Sequence, residues 1–459
     1  MQVAIVTSCF LDRDGLGNSL RDLASTMQSL GHQVDIYVEA NEGATIKDFS
    51  CHTLSLAELL ESSAAGKKHP FFDHDLFVVS YLAYYPLMEV CRFLPRGRLL
   101  IEYPGVTPAH LYPKHDPLGK VVEKANQHLS LLDCADCVFV HSEYMKKELL
   151  SLHSIPEDKL FVLPLMVHSR YRAQEINRKS DTLLYVGRLT ANKRVDLLLS
   201  ALALLKDKFP SLSLEIATML SRATSAQYKK ELEKLITQHG LENVHFHNGL
   251  SDEELVKQYA LATLFVTASV HEGFCIPVAE AMSCGLPCIV ADVAATPETM
   301  GQGGVAVKAQ SAESLAAALE MLLLDEDKRK SLADKALIEA KRFCAQSFKD
   351  NVQRLLAEVM SKRPVAQERA EGAFRLIEAA TRTQARYHDK LSWPLVGPML
   401  RWLRRKATLP LEVSCLRPMS EQQSVWNKLM VEQMRQLRQE VQRLRAELER
   451  KEDNDEKSS

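Results

Sequence analysis

Four side chains in this sequence have the types and spacing to do chemistry together: Glu272, Glu280, Arg188 and Lys193. The glutamates lie on either side of Gly273, Phe274, Cys275, Ile276 and Pro277, a run that leads into a short helix. A helix start presents main-chain N–H groups without helical partners and a partial positive charge, so it favours phosphate. Carboxylates beside it can accept hydrogen bonds from sugar hydroxyls. Arg188 and Lys193 stand where a strand ends and a helix begins. Two cations there can clamp a diphosphate, arginine by its fork and lysine as a point charge. Donor backbone, acceptor carboxylates and a cationic clamp together suit a nucleotide sugar.

The elements that must hold these groups are legible around them. The stretch HEGFCIPVAEAMSCGLPCIV, His271 to Val290, reads as loop, short helix, loop and buried strand. Pro277 suits the first helical position, where its missing N–H is not needed. Gly285 can take the left-handed cap, and Pro287 stops the helix resuming. Ala279, Ala281 and Ser283 are small, so this helix can lie close to a sheet. Cys288–Ala291 is an apolar run short enough for a strand covered on both faces. Upstream, Leu183–Val186 is a strand and Gly187 a turn before Arg188. Further strands at Ser213–Ala217, Val244–His247, Leu264–Ala268 and Val305–Val307 alternate with helices, which predicts a parallel sheet. Its strand carboxyl ends would face the ligand crevice.

The spacing E-x7-E of Glu272 and Glu280 falls inside EGFxxPxxEAMxxGxPxxxxD. This resembles the signature of the retaining, GT-B-fold glycosyltransferases of the large fourth sequence family. The pattern G-R-L-x-x-x-K-x-x-x-x-L-L-x-A around Arg188 and Lys193 resembles that family's second landmark. The resemblance implies that Glu272 lies by the donor sugar and that Glu280 holds the ribose. It also implies that Arg188 and Lys193 stabilise the nucleoside diphosphate leaving group. Gly273, Phe274 and Cys275 would form the donor-binding loop. Cys275 stands where the family usually has glycine.

The first half opens in the same style. Val3–Thr7 and Val34–Val38 are strands, separated by a loop and a helix from about Ser19 to Leu30. Gly15, Gly17 and Asn18 sit just before that helix, where glycine lets a phosphate or sugar approach the backbone. Leu20 replaces the third glycine of a dinucleotide fingerprint. Asp14 to Asn18, D-x-L-G-N, instead resembles the first loop of bacterial polysaccharide glycosyltransferases. Strands follow at Leu76–Ser80, Arg98–Tyr103, Cys137–His141 and Lys159–Leu163, with helices at Leu118–Ala135 and Glu143–Leu152. YPGVTP, from Tyr103 to Pro108, resembles the Y-H-x-x-T-P segment of some O-antigen, rhamnan or mannan glycosyltransferases. Pro104 replaces its histidine, so Glu102, Tyr103 or His110 would have to cover for it. Val140-His141-Ser142-Glu143 resembles the strand end facing the interdomain cleft.

Composition bounds the rest. The 459 residues suggest two or three domains, and 46% hydrophobic content supplies their cores. A net charge of -2 offers no bulk field for nucleic acid. MQVAIV lacks the features of a secretory signal, and no run of about 18 uncharged apolar residues spans a membrane. Ten scattered cysteines fit reduced thiols in a cytoplasmic protein. Cys134 and Cys137 form a lone C-x-x-C without the second pair a zinc site would need.

The last hundred or so residues look like an appendage. Leu391–Leu409 sets Trp393 and Trp402 beside Arg401, Arg404, Arg405 and Lys406, which suits a membrane interface. Met430, Met434, Leu437, Val441, Leu444 and Leu448 alternate spacings of four and three, an a/d seam that needs a partner.

The expected fold is α/β: GT-B, two Rossmann-like doubly wound domains facing across a cleft, plus a C-terminal helical appendage. Residues 1–166 form the acceptor-side domain, 167–180 a linker and 181–345 the nucleotide-sugar domain. Residues 346–362 form a crossover helix, 363–420 a basic amphipathic appendage, 421–451 a coiled coil and 452–459 a disordered tail. The expected activity is retaining, metal-independent hexosyl transfer from a nucleotide sugar, which is substrate rather than cofactor, to a glycan or lipid-linked glycan. A membrane surface and homo-oligomerisation are the expected partnerships, at the inner face of the plasma membrane. Two alternatives keep the fold: a nucleotide-sugar epimerase or phosphorylase, and a non-catalytic coiled-coil scaffold.

Overall fold

The computed structural model describes residues 1–362 except 9, 11–14, 40–48, 65–68, 93, 95, 113–116, 175–180, 220–222 and 309–310. The basic appendage and the coiled coil lie outside the described residues. The first domain carries strands β1 (Gln2–Thr7), β2 (Gln33–Val38), β3 (Ser50–Thr53), β4 (Leu76–Ser80), β5 (Arg98–Glu102), β6 (Cys137–Val140) and β7 (Leu160–Val162). They form one sheet in the order β3-β2-β1-β4-β5-β6-β7, with every pairing parallel. The second carries β8 (Thr182–Val186), β9 (Ser213–Thr218), β10 (Val244–Asn248), β11 (Leu264–Thr267), β12 (Cys288–Ala291) and β13 (Gly304–Val307). Its order is β10-β9-β8-β11-β12-β13, again all parallel.

Parallel strands need helices on both faces, and the apolar strand runs pack against them. In the first domain these are α1 (Gly15–Ser29), α2 (Leu56–Ala64), α3 (Pro117–Gln127) and α4 (Glu143–Leu152). In the second they are α5 (Val195–Leu205), α6 (Ala223–His239), α7 (Asp252–Leu261), α8 (Ile276–Ser283), α9 (Thr296–Met300), α10 (Ala312–Leu324) and α11 (Glu326–Ala340). Leu76, Val78, Leu100 and Phe139 are essentially inaccessible in one sheet, as are Leu264, Val266, Ile289 and Val290 in the other.

The sequence ends its last domain with two helices, and they part company. Ala336 and Ala340 of α11 pack with α8 in the second domain. Helix α12 (Ala345–Ser361) buries Phe348, Val352, Leu355 and Val359 against Val3, Ile5, Leu20 and Leu23 of the first. The chain therefore crosses between domains twice. The crossings are side by side, since the Val167 N–H donates to the Phe343 carbonyl at 2.8 Å.

Three elements differ from the sequence expectation. Helix α1 begins at Gly15 rather than near Ser19, so the glycines sit in its first turn. The expected helix Leu118–Ala135 breaks at His128, whose φ of -110° and ψ of 13° are not helical, and continues as a 3-10 turn over Leu129–Cys134. Strand β3 is fully exposed and has no apolar alternation to betray it; pairing with β2 makes it a strand.

Both sheets reverse direction between two strands, β1 and β4 in the first and β8 and β11 in the second. Doubly wound sheets bind ligands at such switch points, beyond the strand carboxyl ends. The loops after β8 and β11 carry Arg188, Lys193 and Glu272.

Candidate active site

Strand β8 ends at Val186 and the chain turns at Gly187, where a Cβ would sit 2.7 Å from the Tyr185 hydroxyl. Tyr185 is fully buried and donates to the Arg188 carbonyl at 3.1 Å, which fixes the turn and leaves Arg188 exposed. A 3-10 turn, Ala191–Lys193, then delivers Lys193. Arg194 in the left-handed region, at φ 51°, redirects the chain into α5.

The loop after β11 lies against this turn. The Val270 N–H donates to the Asn192 carbonyl at 2.9 Å. Lys193 Nζ meets Glu272 Oε1 at 2.5 Å, pairing two groups 79 residues apart in the chain. The pair is largely shielded, with side-chain exposures of 15% and 13%.

Helix α8 follows. Its first residue is Ile276, so Pro277 falls one position later than the sequence suggested. Its end is a Schellman motif: Gly285 at φ 66° donates to Met282 at 2.9 Å, and Leu286 donates back to Ala281 at 2.9 Å. Cys275 caps the start of α8 at φ 71° and ψ 66°. This is the left-handed region that favours glycine, which accounts physically for glycine at this place in the family pattern. Burial first, and the Glu272 charge second, push the Cys275 thiol well above its ordinary value. Phe274 turns its ring into the core, edge-on to Phe343 at 5.1 Å, so only its backbone remains to meet a ligand.

Glu280 projects from α8 one turn in. It accepts the Tyr259 hydroxyl at 2.7 Å, and Tyr171 supplies a second hydrogen bond. Burial raises its carboxyl to about 7, while the two tyrosine hydroxyls pull it back down.

The first domain closes over this loop. Ser142 Oγ donates to the Gly273 carbonyl at 2.7 Å. A Cβ on Gly273 would lie 2.8 Å from Met145 Sδ and 2.9 Å from the Pro104 carbonyl, so glycine is required by the close approach of the two domains. His271 Nε2 contacts Glu148 Oε1 at 2.8 Å. Glu298 accepts the Glu143 and Tyr144 N–H groups at 2.7 and 2.9 Å, capping the start of α4 from across the cleft. Ser142 lies in the segment read from the sequence as facing the cleft, whereas Met145, Glu148 and Glu298 went unnoticed. Nothing in their spacing could have paired them, for the bonds that Ser142, Glu148 and Glu298 make across the cleft join residues 123 to 155 apart.

The residues near Pro104 divide. Glu102 and Tyr103 are buried, and His110 is exposed. Glu102 Oε1 accepts Ser19 Oγ at 2.9 Å and contacts His141 Nε2 at 3.1 Å, tying α1 to the end of β6. Gly17 is buried in the first turn of α1, and Asn18 accepts Arg21 at 3.4 Å, so that turn is engaged within its own domain. Gly15 opens the helix. Cys134 and Cys137 form no disulfide, and among the described residues no group of three or more metal-ligating side chains gathers.

Residues 169–337 match the family model described as glycosyl transferases group 1. The match covers most of the second domain. The O-antigen chain mannosyltransferase B of Escherichia coli is 26% identical over 244 residues, 50% of this chain and 63% of that protein. The chain spans less than two thirds of the length of the curated relatives it first matches. Sucrose-phosphate synthase from Thermosynechococcus elongatus superposes with a TM-score of 0.64 at 18% identity, covering 78% of this chain and 99% of that one. Anabaena HepE in complex with UDP and glucose gives 0.63 at 17%, covering 78% and 99%. These likenesses show the fold, GT-B.

Proposed function

We propose that this chain, whose residues 169–337 match the group 1 glycosyl transferases, moves a hexose or deoxyhexose from a nucleotide sugar to a growing glycan or lipid-linked glycan. The observation that carries the reading is the Lys193–Glu272 pair at the switch point of the second sheet, shielded beneath the first domain. On this reading an arriving diphosphate takes Lys193 and Arg188 as its cations. Glu272 is then released to accept hydrogen bonds from the donor sugar. As the glycosidic bond breaks, negative charge grows on the diphosphate, where the two cations and the start of α8 stabilise it without a bound metal ion. Glu280 accepts from the ribose. A relative titled as an O-antigen mannosyltransferase and a neighbour titled with UDP and glucose both support a sugar donor of this class. Transfer proceeds with retention, the acceptor hydroxyl entering from the first domain.

A shielded lysine–carboxylate pair at a ligand crevice has no use in a scaffold, which disfavours the non-catalytic alternative. Among the described residues no helix is long and apolar enough to cross a membrane. A lipid-linked acceptor is then met at the membrane surface, through the basic stretch Leu391–Leu409. Incubating the chain with labelled nucleotide sugars and a lipid-linked acceptor tests the proposal. Transfer with the anomeric configuration kept is the expected result. Epimerisation, or no turnover with any donor, would remove it.

A further inference from the structure

We propose that Glu148, on α4 of the first domain, is a positioning residue for Glu272, acting through His271 when the two domains meet. The inference rests on the reading that Glu272 attends the donor sugar.

The loop Val270–Gly273 is gripped from both sides. The second domain holds it through Asn192, through the Ala295 N–H on the Glu272 carbonyl at 3.2 Å, and through Lys193. The first domain holds the residue on each side of Glu272. Glu148 takes His271, and Ser142 takes Gly273. All the first-domain grips except Pro104 come from α4 or its cap, at positions 142, 145 and 148. That spacing of three puts them along one helix face. The Glu272 side chain is thus attached to its own domain at one end, and its backbone is bracketed by the other domain.

The Glu148 carboxylate is itself held. Tyr144 Oη donates to the same oxygen that meets His271, at 3.1 Å. A carboxylate only accepts, so His271 carries a proton on Nε2 toward it. The second oxygen, Oε2, is buried without a hydrogen-bond partner, as is the Tyr103 hydroxyl nearby. A buried, half-satisfied carboxylate is a poor way to stabilise a helix packing, and an apolar pair of the same volume would do as well or better. Its use is geometric: a charged contact has direction, and it fixes the ring of His271, and with it the adjacent Glu272, only while α4 is in place. Glu298 at the start of α4 sets the same helix against the second domain from the other end. One helix therefore makes the contacts of closure and orients the reacting loop.

The test is Glu148→Gln in the full-length chain, which keeps shape and removes charge. Calorimetry with UDP and with GDP measures the nucleotide site in the second domain, and Kd should rise only by the closure that nucleotide no longer drives, by a smaller factor than turnover falls. Turnover at saturating donor and acceptor should fall about tenfold or more, the scale of a small misplacement of a reacting group. His271→Gln should lose a similar factor, and the double variant no more than the worse single one, since the two act as a unit. Tyr144→Phe, which leaves the carboxylate in place, should lose less. A melting temperature near wild type for each variant confirms folding. A spin label on each domain reads closure independently: nucleotide should shorten the distance in wild type but not in Glu148→Gln. Unchanged turnover, an additive double variant, or turnover falling only in step with nucleotide Kd overturns the proposal. Should wild type itself transfer no sugar, the reading of Glu272 fails instead, and the spin-label distance decides the coupling alone: equal shortening in both proteins would overturn it.

Discussion

The two domains share a strand order and meet the cleft with different chemistry. The second presents a lysine, an arginine and two carboxylates on the loops and helix that leave its switch point. The first presents the packed face of α4, where Ser142, Met145 and Glu148 bear on the loop that holds Glu272. One sheet carries groups that can react with a ligand. The other carries groups that shape the loop beneath. On the proposed function a doubly wound fold is used twice in one chain, once as a reagent and once as a press, because function sits in the loops rather than in the sheet.

That contrast can be broken most forcefully on the second domain. Arg188→Ala and Lys193→Ala should each lower turnover by about a hundred- to a thousandfold, as removal of a transition-state donor does. The donor Michaelis constant should change less, because the charge they meet grows during the reaction. Full turnover in these variants at saturating substrates would contradict the clamp.

A substitution aimed at the interface should hit turnover through geometry alone. Gly273→Ala places a methyl 2.8 Å from Met145 Sδ and 2.9 Å from the Pro104 carbonyl, so the domains must part. We expect roughly tenfold slower turnover with nucleotide Kd unchanged, since the perturbation faces the other domain. Adding Met145→Ala should recover part of the loss and leave the clash with the carbonyl. A nucleotide Kd that rises in step with the loss would place the effect in the second domain instead.

Glu280→Gln sharpens the comparison in a different currency, stability against binding. Loss of the charge should weaken nucleotide-sugar binding by about 1–3 kcal/mol in calorimetry. The same change should help the fold at high pH. The Glu280 carboxyl is raised by burial from 4.5 to about 7, so the folded chain binds a proton that the unfolded chain releases between these values. Stability therefore falls as pH rises through that window, by an amount on the order of 3 kcal/mol once pH exceeds 7. An amide does not ionise. The variant should melt above wild type at pH 8 and at nearly the same temperature at pH 4.5. A gap that fails to grow with pH would mean the carboxylate is solvated after all.

The smallest effect on chemistry should come from the far end of the chain. A stop after Pro418 removes the a/d seam from Met430 to Leu448. Donor binding should not change, while light scattering should show the loss of self-association. Two monomers, full-length and truncated, would send that seam to another protein or to the chain's own surface.

Much of the second domain was legible because its signals are local. The cap at Gly285, the break at Pro287 and the strand Cys288–Ala291 depend on neighbours within a few residues, where backbone preference acts directly. The family pattern at Glu272 and Glu280 spans a single loop and helix. The first turn of α1 was misplaced for the converse reason. Glycine disfavours helix by propensity, but Gly17 is buried in the packed domain and tertiary contact outweighs that weak preference.

The types of the candidate site residues, and the α/β alternation that sets strands beneath them, were determined by the sequence alone. Short-range sterics and hydrophobic period decide those. Which groups meet was decided only by the tertiary structure. Lys193 reaches Glu272 because β8 and β11 are neighbours at the switch point, though 79 residues separate the two side chains. Glu148 reaches His271 across 123 residues because two separately folded sheets face one another. No periodicity encodes such contacts. They follow from the order in which strands pair and from the one orientation in which both domains bury α4 and the Glu272 loop together.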